Sequence, residues 1–234
     1  MAVNINSVYQ KVLALANKEQ RGYITPQEFN LLADRAQNEI YENYFHQAKN
    51  SNAKIKDDDT HTDSLEMIEA KLSSFLKSET NTNISSGIMT LPTDLYKLDI
   101  VKVGINLATE VNKKEEHYIT SLGETGSVLY PKTSRPIFTR VSSTTIRITP
   151  DPGNSTSCTV TYYKEPTTPS FGYVVVNEKA LYNSNTIVDF ELASSEEEQL
   201  VSRILLLSGT IIKQPDIAQT GAAFLQQKNQ EQNS

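Results

Sequence analysis

Apolar residues recur at helical intervals near the start of the chain. Val8, Val12 and Leu15 predict a first helix over about residues 7–18. The segment Thr25-Pro26-Gln27-Glu28 predicts the start of a second helix, because it combines a threonine N-cap, a proline at the first helical position and a glutamate placed for a capping box. An apolar stripe then predicts that this helix runs to about residue 49. The stripe consists of Phe29, Leu32, Ala36, Ile40, Tyr44 and Phe45.

Further helices are predicted after a polar segment and again near the end of the chain. Residues 50–62 show no periodicity and predict a mobile loop, which is followed by a helix from Asp63 or Ser64 that extends to about residue 79. Residues 80–87 predict a polar connector. Ser195 to Glu198 resembles a second capping box and opens a helix with apolar residues on two sides. After Pro215 a last helix carries Ile217, Phe224 and Leu225 and leads into a polar tail.

Between these helices apolar residues recur at every second position, which predicts strands. Ile146 and Ile148 alternate with polar residues, and after a turn at residues 151–154 Cys158, Val160 and Tyr162 do the same. The two runs predict a hairpin with one buried face. Other strands are predicted at about residues 88–91, 99–105, 137–141, 173–176 and 186–190. Residues 108–116 predict a charged tip, with residues 117–119 pairing back onto the preceding strand.

Helices at both ends and strands between them predict an α+β fold. In this fold the N- and C-terminal helices form a bundle, and an antiparallel β domain is inserted into it. We place the bundle in residues 1–86 and 191–234 and the inserted domain in residues 87–190. The arrangement requires that helices from residues 1–50 and 195–234 meet in one core.

The composition indicates a thin core, which favours either an elongated subunit or one that neighbouring copies complete. Only 38% of the 234 residues are apolar, there is no tryptophan, and eleven tyrosines outnumber seven phenylalanines. Tyrosine is common on partly solvent-exposed surfaces that a partner protein covers, because its ring is apolar and its hydroxyl is polar. The candidate interface residues are Tyr130, Tyr163, Phe171 and Tyr173 in the β region, and Ile217, Phe224 and Leu225 near the C-terminus.

Charge and cysteine usage narrow the possible functions. A net charge of -6 with scattered basic residues argues against broad binding to a phosphate backbone. The single cysteine, Cys158, excludes an internal disulfide and is expected in the core. The N-terminus does not resemble a secretory signal, and no apolar run approaches the roughly 20 residues that span a bilayer, so a soluble protein is expected.

No sequence pattern in the chain strongly indicates a metal site or a catalytic site. Asp57, Asp59, His61 and Asp63 alternate like the start of a calcium loop, but the glycine and the final acid of that motif are missing, which favours a solvated charge run. None of the three histidines lies beside a glycine-flanked serine or beside Cys158. The acids at positions 196–198 are consecutive, so they cannot all face one cleft. We therefore predict no catalytic residue, no metal site and no cofactor.

Several short motifs follow one another in a characteristic order. They are the capped helix with Leu32, Ala36, Ile40 and Tyr41, then Leu91-Pro92-Thr93-Asp94, Pro136-Ile137-Phe138, Ile146-Arg147-Ile148-Thr149-Pro150 and Val160-Thr161-Tyr162-Tyr163-Lys164-Glu165-Pro166, then the C-terminal capped helix. This order, over most of the chain, resembles the head-to-tail connector or tail adaptor proteins that form a ring beneath the portal of tailed bacteriophages. Within that family the chain is most similar to the ring proteins of short-tailed phages, including crAss-like phages.

The resemblance implies a non-enzymatic structural protein of the virion neck, assembled in the host cytoplasm. It implies a dodecameric ring that joins the portal to the tail, with the helical bundle forming the wall and the β domain facing a neighbouring tail component. Its partners would be sister copies, the portal protein and other tail or ring proteins. DNA would pass through the lumen without specific binding, and an acidic lumen would repel it.

Two other classes of function remain open from the sequence. One is a tail-associated enzyme that degrades the cell wall. The other is a protein-binding module that acts outside a virion.

Overall fold

A computed structural model describes residues 2–18, 24–54, 60–81, 84–121, 130–153, 156–177, 179–211 and residue 226. The fold is α+β, with helices towards both ends of the chain and strands between them, as predicted. The helices are α1 (Ile5–Lys18), α2 (Pro26–Lys54), α3 (Thr60–Leu72), α4 (Lys113–Ser121) and α5 (Glu197–Ile211). The strands are β1 (Ala2–Val3), β2 (Leu76–Asn81), β3 (Ile88–Thr90), β4 (Leu95–Val103), β5 (Asn106–Glu110), β6 (Ile137–Arg140), β7 (Thr145–Thr149), β8 (Cys158–Lys164), β9 (Tyr173–Val176), β10 (Lys179–Tyr182) and β11 (Phe190–Ala193).

The chain divides into two compact units. The helical unit consists of Met1–Ser74 together with Pro166–Ser234, and the β unit consists of Phe75–Glu165. The inserted segment therefore lies between residues 75 and 165, whereas the sequence placed it between residues 87 and 190. Strands β9, β10 and β11 belong to the helical unit.

The core of the helical unit joins the two ends of the chain. Helix α5 contacts both α1 and α2, which confirms that distant helices share one core. Strand β1 pairs with β11, and the backbone N–H of Ile5 donates to Asp189 Oδ1 at 2.8 Å. The fully buried side chains at the contacts include Val8, Val12, Phe29, Ile40, Leu200 and Ile204.

The start of α2 is set by the predicted capping box. The backbone N–H of Glu28 donates to Thr25 Oγ1 at 3.2 Å, and the backbone N–H of Thr25 donates to Glu28 Oε2 at 2.9 Å. Two amide groups at the helix start are thereby satisfied. The hydrogen bonds from Thr25 lower the pKa of the Glu28 carboxyl.

The predicted loop at residues 50–62 is wrong in its described parts. Helix α2 continues through Lys54 and α3 begins at Thr60. Helix α3 ends at Leu72, and after a short 3₁₀ turn the chain enters β2 instead of remaining helical. Thr80 and Asn81 lie in β2, where the sequence predicted a connector. This polar segment forms a strand because its hydroxyls pair across to β8: Ser78 Oγ lies 3.3 Å from Thr161 Oγ1, and Thr80 Oγ1 lies 3.1 Å from Thr159 Oγ1.

The β unit is built on one curled, mixed sheet of seven strands in the order β2-β8-β4-β5-β6-β7-β3. Its described neighbours are antiparallel except for β5 and β6, which are parallel. The inner face encloses a single apolar core, and Leu95 and Leu98 pack against it. The core consists of Ile84, Met89, Leu91, Val101, Val103, Ala108, Phe138, Ile146, Ile148, Cys158, Val160 and Tyr162.

The predicted hairpin of β7 and β8 is wrong, although its buried face is right. Strand β7 pairs with β3 and β6, and β8 pairs with β2 and β4. Ile146, Ile148 and Cys158 are nonetheless buried as their alternation predicted. Alternation determines which face of a strand is buried but not which strand lies beside it. Both strands reach the same core because the sheet curls.

Two other predicted strands are also wrong. The charged segment that was expected to pair back as a strand at residues 117–119 forms helix α4. Its cap is Asn112, whose Oδ1 accepts from the backbone N–H groups of Lys114 and Glu115 at 3.0 and 2.9 Å. The predicted strand at residues 186–190 is displaced, since residues Ser184–Thr186 form a 3₁₀ turn and β11 begins at Phe190.

Candidate protein interface

Strands β9 and β10 form a two-stranded sheet of their own within the helical unit. In the antiparallel register Val174 faces Leu181 and Tyr173 faces Tyr182. The turn after β9 places Asn177 at a φ of 49°, a left-handed conformation that asparagine tolerates better than most residues. We call this pair of strands the apolar hairpin.

Both faces of the apolar hairpin carry exposed large apolar side chains. Val174, Val176 and Leu181 share one face and are 48%, 46% and 52% exposed. On the other face Val175 is 63% exposed and Tyr182 is 43% exposed. An isolated two-stranded sheet is marginal in water, and clustered exposed apolar side chains are typical of protein contacts. The apolar hairpin is therefore the candidate interface of the helical unit.

The base of the apolar hairpin is anchored in the helical core. The ring of Tyr182 lies 5.5 Å from that of Phe171, which lies 4.2 Å from the ring of Tyr9 in α1. Asn30 of α2 holds the same segment, because its Oδ1 accepts from the backbone N–H of Phe171 at 2.7 Å. At Gly172 a Cβ atom would lie 2.5 Å from the carbonyl oxygen of Asn183, so a larger residue would push the strands apart. The anchoring fixes the direction in which the hairpin leaves the core.

The predicted interface residues fall into different environments. Tyr173 is half-buried in β9 and belongs to the apolar hairpin. Phe171 is only 3% exposed and fills the core, so the expectation that it is exposed is wrong. Tyr130 and Tyr163 are half-buried in the β unit, where their use in an interface stays a prediction. Ile217, Phe224 and Leu225 lie outside the described residues.

Sequence reasoning missed the three exposed valines of the apolar hairpin as candidate interface residues. Val174, Val175 and Val176 are consecutive, and successive strand residues point to opposite faces. A strand with one buried face would alternate apolar and polar residues, so three valines in a row place apolar side chains on both faces. That run was the available signal.

The three consecutive acids around the start of α5 lie in different environments. Glu196 is 1% exposed and its Oε1 lies 2.8 Å from Lys71 Nζ of α3. Glu197 accepts from Ser7 Oγ and lies 3.1 Å from Lys11 Nζ, and the hydrogen bond from Ser7 is the main reason that its pKa is lowered. Glu198 is exposed. Glu196 and Glu197 thus connect the start of α5 to α3 and α1, respectively, in addition to any effect on the helix dipole.

A second polar cluster lies in the β unit around Tyr162. The hydroxyl of Tyr162 donates to Asp94 Oδ1 at 2.8 Å and lies 3.1 Å from Glu79 Oε1, while Lys77 Nζ donates to Asp94 Oδ2 at 2.6 Å. Burial, followed by these carboxylates, raises the pKa of the Tyr162 hydroxyl. The hydrogen bond from Lys77 is the main cause of the lowered pKa of Asp94. The cluster ties β2 and the start of β4 to β8.

The thiol and the proposed metal ligands give no further site in the described parts of the chain. Cys158 is buried in the β core as predicted, and burial raises the pKa of its thiol to about 11. Asp57 and Asp59 lie outside the described residues, as do the side chains of His61 and Asp63. Elsewhere in the described ranges no group of three or more His, Cys, Asp or Glu side chains is placed to hold a metal ion.

No helix in the described ranges has the length and apolar character needed to cross a membrane. Comparison with known proteins found no family model that matches the chain and no curated protein that matches it.

Proposed function

We propose that this protein is a structural subunit of a ring that joins the portal to the tail in a short-tailed bacteriophage. Two independent features support the proposal. The first is the order of sequence motifs, which resembles the connector family. The second, which carries the proposal, is the apolar hairpin with large apolar side chains exposed on both of its faces.

A ring requires a heterologous contact, in which one surface of a subunit meets a different surface of the next. The apolar hairpin supplies one such surface. Candidates for the receiving surface are Leu31 of α2 and Met67 of α3, which are 71% and 64% exposed. Each half-exposed hairpin side chain that a neighbour covers would contribute roughly 1 kcal/mol to association.

The anchoring at Phe171 and Gly172 matters for this role. A ring closes only if every contact repeats at the same angle, and a hairpin that moved freely on its base would not fix that angle. The aromatic contacts of Phe171 with Tyr9 and Tyr182 tie the hairpin to α1. The net charge of -6 agrees with a channel that DNA passes without being held.

The test is the assembly state of variants with charged hairpins. Val175→Lys combined with Leu181→Lys places an ammonium on each face of the hairpin, where covering it would bury an unpaired charge. The unassembled subunit should keep its fold, since both side chains are exposed. We expect rings of the unaltered protein in negative-stain micrographs, alone or with the portal protein of the same virus, and no rings of the variant.

Leu107→Lys in β5 is the matched control, because Leu107 is 60% exposed but belongs to the β unit. This control should assemble like the unaltered protein. Sedimentation of the unaltered protein as a monomer at every concentration, both alone and with the portal protein, would contradict the proposal. Assembly that persists in the hairpin variant would place the contact elsewhere and remove the observation that carries the proposal.

A further inference from the structure

A cleft of about 480 Å³ lies between α4 and the outer face of the sheet in the β unit. One wall is the stripe of α4 that carries Lys113, Glu116, His117 and Thr120, which are spaced to share one side of a helix. The floor is formed by Thr139 and Val141 at β6 and by Arg147 of β7. Helix α4 contacts β6, which fixes the wall over the floor.

The floor residues lie on the side of the sheet away from the core. Thr139 and Arg147 are directly opposite each other in the register of β6 and β7. The neighbouring residues Phe138 and Ile148, which are also paired, point into the core. Since successive residues of a strand point to opposite faces, Thr139 and Arg147 both face the outer side that α4 covers.

Thr139 is the unusual member of the floor. It is 2% exposed, and its Oγ1 has no hydrogen-bond partner among the described residues. A buried hydroxyl without a partner costs about 1 to 3 kcal/mol, so native proteins rarely keep one without a reason. Valine would fill the same volume on this strand without that cost. A ligand in the cleft that accepts a hydrogen bond would supply the missing partner.

The charged groups around the cleft favour an anionic acceptor. The positive charges of Lys113 and Arg147 outnumber the single negative charge of Glu116. Arginine and lysine side chains are donors only, and both form short, charge-assisted hydrogen bonds to oxyanions. Lys113 Nζ lies 3.3 Å from the carbonyl oxygen of Val141, which holds it at the edge of the floor.

The start of α4 is not the binding element. Asn112 Oδ1 already accepts from the N–H groups of Lys114 and Glu115, and Thr120 Oγ1 donates to the carbonyl oxygen of Glu116 at 2.7 Å. The donors that remain for a ligand come from three separate elements: Lys113 on the helix, Thr139 on β6 and Arg147 on β7. A tetrahedral oxyanion can accept from several directions, whereas a carboxylate accepts in one plane.

We propose that this cleft binds a phosphate group, held by Lys113, Arg147 and the hydroxyl of Thr139. The group can be free inorganic phosphate or a phosphomonoester on a larger molecule. Glu116 limits the positive charge of the cleft, which favours a single phosphate over a polyphosphate. This site belongs to the β unit, whereas the apolar hairpin belongs to the helical unit, and it does not depend on the proposed assembly.

The test is calorimetric titration of the full chain with inorganic phosphate and with phosphoserine, in parallel with acetate. We expect saturable binding of the phosphate probes and weaker binding of acetate. Tighter binding of phosphoserine than of inorganic phosphate would identify a carried phosphomonoester as the better ligand, and the reverse order would identify the free ion. Arg147→Gln should weaken binding roughly tenfold or more, because a charge-assisted hydrogen bond is lost.

Thr139→Val is the more specific variant, since it removes a single hydroxyl. The variant should be at least as stable as the unaltered protein, because the hydroxyl has no partner among the described residues, but should bind phosphate roughly fivefold more weakly. Lys114→Gln is the matched control, because Lys114 is exposed on the same helix and does not line the cleft. Its affinity should be unchanged within about twofold.

Absence of saturable phosphate binding below about 10 mM, where the binding free energy is under about 3 kcal/mol, would overturn the proposal. Equal weakening by Lys114→Gln and Arg147→Gln would also overturn it, because that result indicates diffuse attraction to charge. Unaltered affinity in Thr139→Val would remove the hydroxyl from the site.

Discussion

The helical unit and the β unit differ in how far apart along the chain their contacting residues lie. In the helical unit Ile5 bonds to Asp189 and Ser7 bonds to Glu197, so residues from opposite ends of the sequence must meet. The seven-stranded sheet of the β unit uses only strands between Leu76 and Lys164. The β unit is thus one continuous segment, whereas the helical unit is complete only when both of its segments are present.

The two units also differ in what they leave on their surfaces. The helical unit exposes the apolar hairpin, whose contacts with a partner would depend on burial of apolar area. The β unit offers a cleft lined mainly by polar and charged groups, which suits a small ion. On the two proposals above, the helical unit would serve lasting assembly and the β unit would serve reversible binding, because each unit has a core of its own.

The largest expected effect comes from a cavity-forming substitution in the core of one unit at a time, which tests whether the two cores are independent. Ile204 of α5 and Ile146 of β7 are both fully buried. Ile204→Ala and Ile146→Ala should each cost about 2 to 5 kcal/mol of unfolding free energy, because each removes buried methyl groups and leaves a cavity. Hydrogen exchange measured by mass spectrometry should show faster exchange in the helical unit for Ile204→Ala and in the β unit for Ile146→Ala.

The exposed positions Leu15 and Val141 give matched controls in the same two units. Leu15→Ala and Val141→Ala should change the unfolding free energy by under about 1 kcal/mol, because these side chains are 38% and 37% exposed. Equal acceleration of exchange in both units by either core variant would show that the units unfold together. The separation of the two cores would then be wrong.

Much of the helical unit could be predicted because its signals are local. The capping box at Thr25 and the apolar stripe after it identify α2 without reference to the rest of the chain. The last turn of α2, which ends at Lys54, and the first turn of α3, which begins at Thr60, were not predicted. Both have polar sequences, and such segments become helical mainly through packing against other elements. In the β unit, alternation predicted that Ile146 and Cys158 are buried. The partners of β7 and β8 depend on the curl of the whole sheet, which no local pattern contains.

The candidate interface was predictable to a similar degree. Tyr173 was identified by its residue type, and the adjacent valines could have been found from their uninterrupted run. Phe171 could not be separated from exposed aromatics by type, because its burial depends on Tyr9 and Phe29 from another segment. The cleft has helix α4 as one wall, and the sequence predicted a charged loop tip and a short strand in place of this helix. Its cap, Asn112 with Glu115 three residues later, was the signal for that helix.

A second comparison concerns one ion pair in each unit. Lys71 and Glu196 of the helical unit are 20% and 1% exposed, whereas Lys77 and Asp94 of the β unit are 46% and 37% exposed. Glu196→Gln should cost about 2 to 4 kcal/mol, because it leaves a largely buried ammonium without its counter-charge. Asp94→Asn should cost under about 1 kcal/mol, because water screens the exposed pair.

Chemical denaturation of both variants measures these costs, and Glu198→Gln is the control for a charge change at the same helix start. Glu198 is exposed, so this control should shift the unfolding free energy by under about 0.5 kcal/mol. A larger cost for Asp94→Asn than for Glu196→Gln would reverse the comparison. The carboxamide oxygen introduced by Asp94→Asn can still accept the hydrogen bond from the Tyr162 hydroxyl. A larger cost would therefore show that keeping this hydrogen bond does not preserve the stability of the β unit.

The smallest expected difference between the units is in their response to acid. The pKa of Glu197 is lowered by its hydrogen bond from Ser7, and that of Asp94 by its hydrogen bond from Lys77. A lowered folded pKa means that the ionised carboxylate stabilises the fold. This contribution is present above the unfolded values of about 4.3 for glutamate and 3.9 for aspartate, and it is lost as the pH falls through the lowered folded pKa. We expect each carboxylate to contribute under about 1 kcal/mol to the free energy of unfolding, since both ion pairs are partly exposed.

Glu197→Gln should flatten the acid dependence of hydrogen exchange in the helical unit, and Asp94→Asn should flatten it in the β unit. If Glu197→Gln instead flattened the acid dependence of both units equally, the bond between the ends of the chain would control the stability of the inserted segment as well.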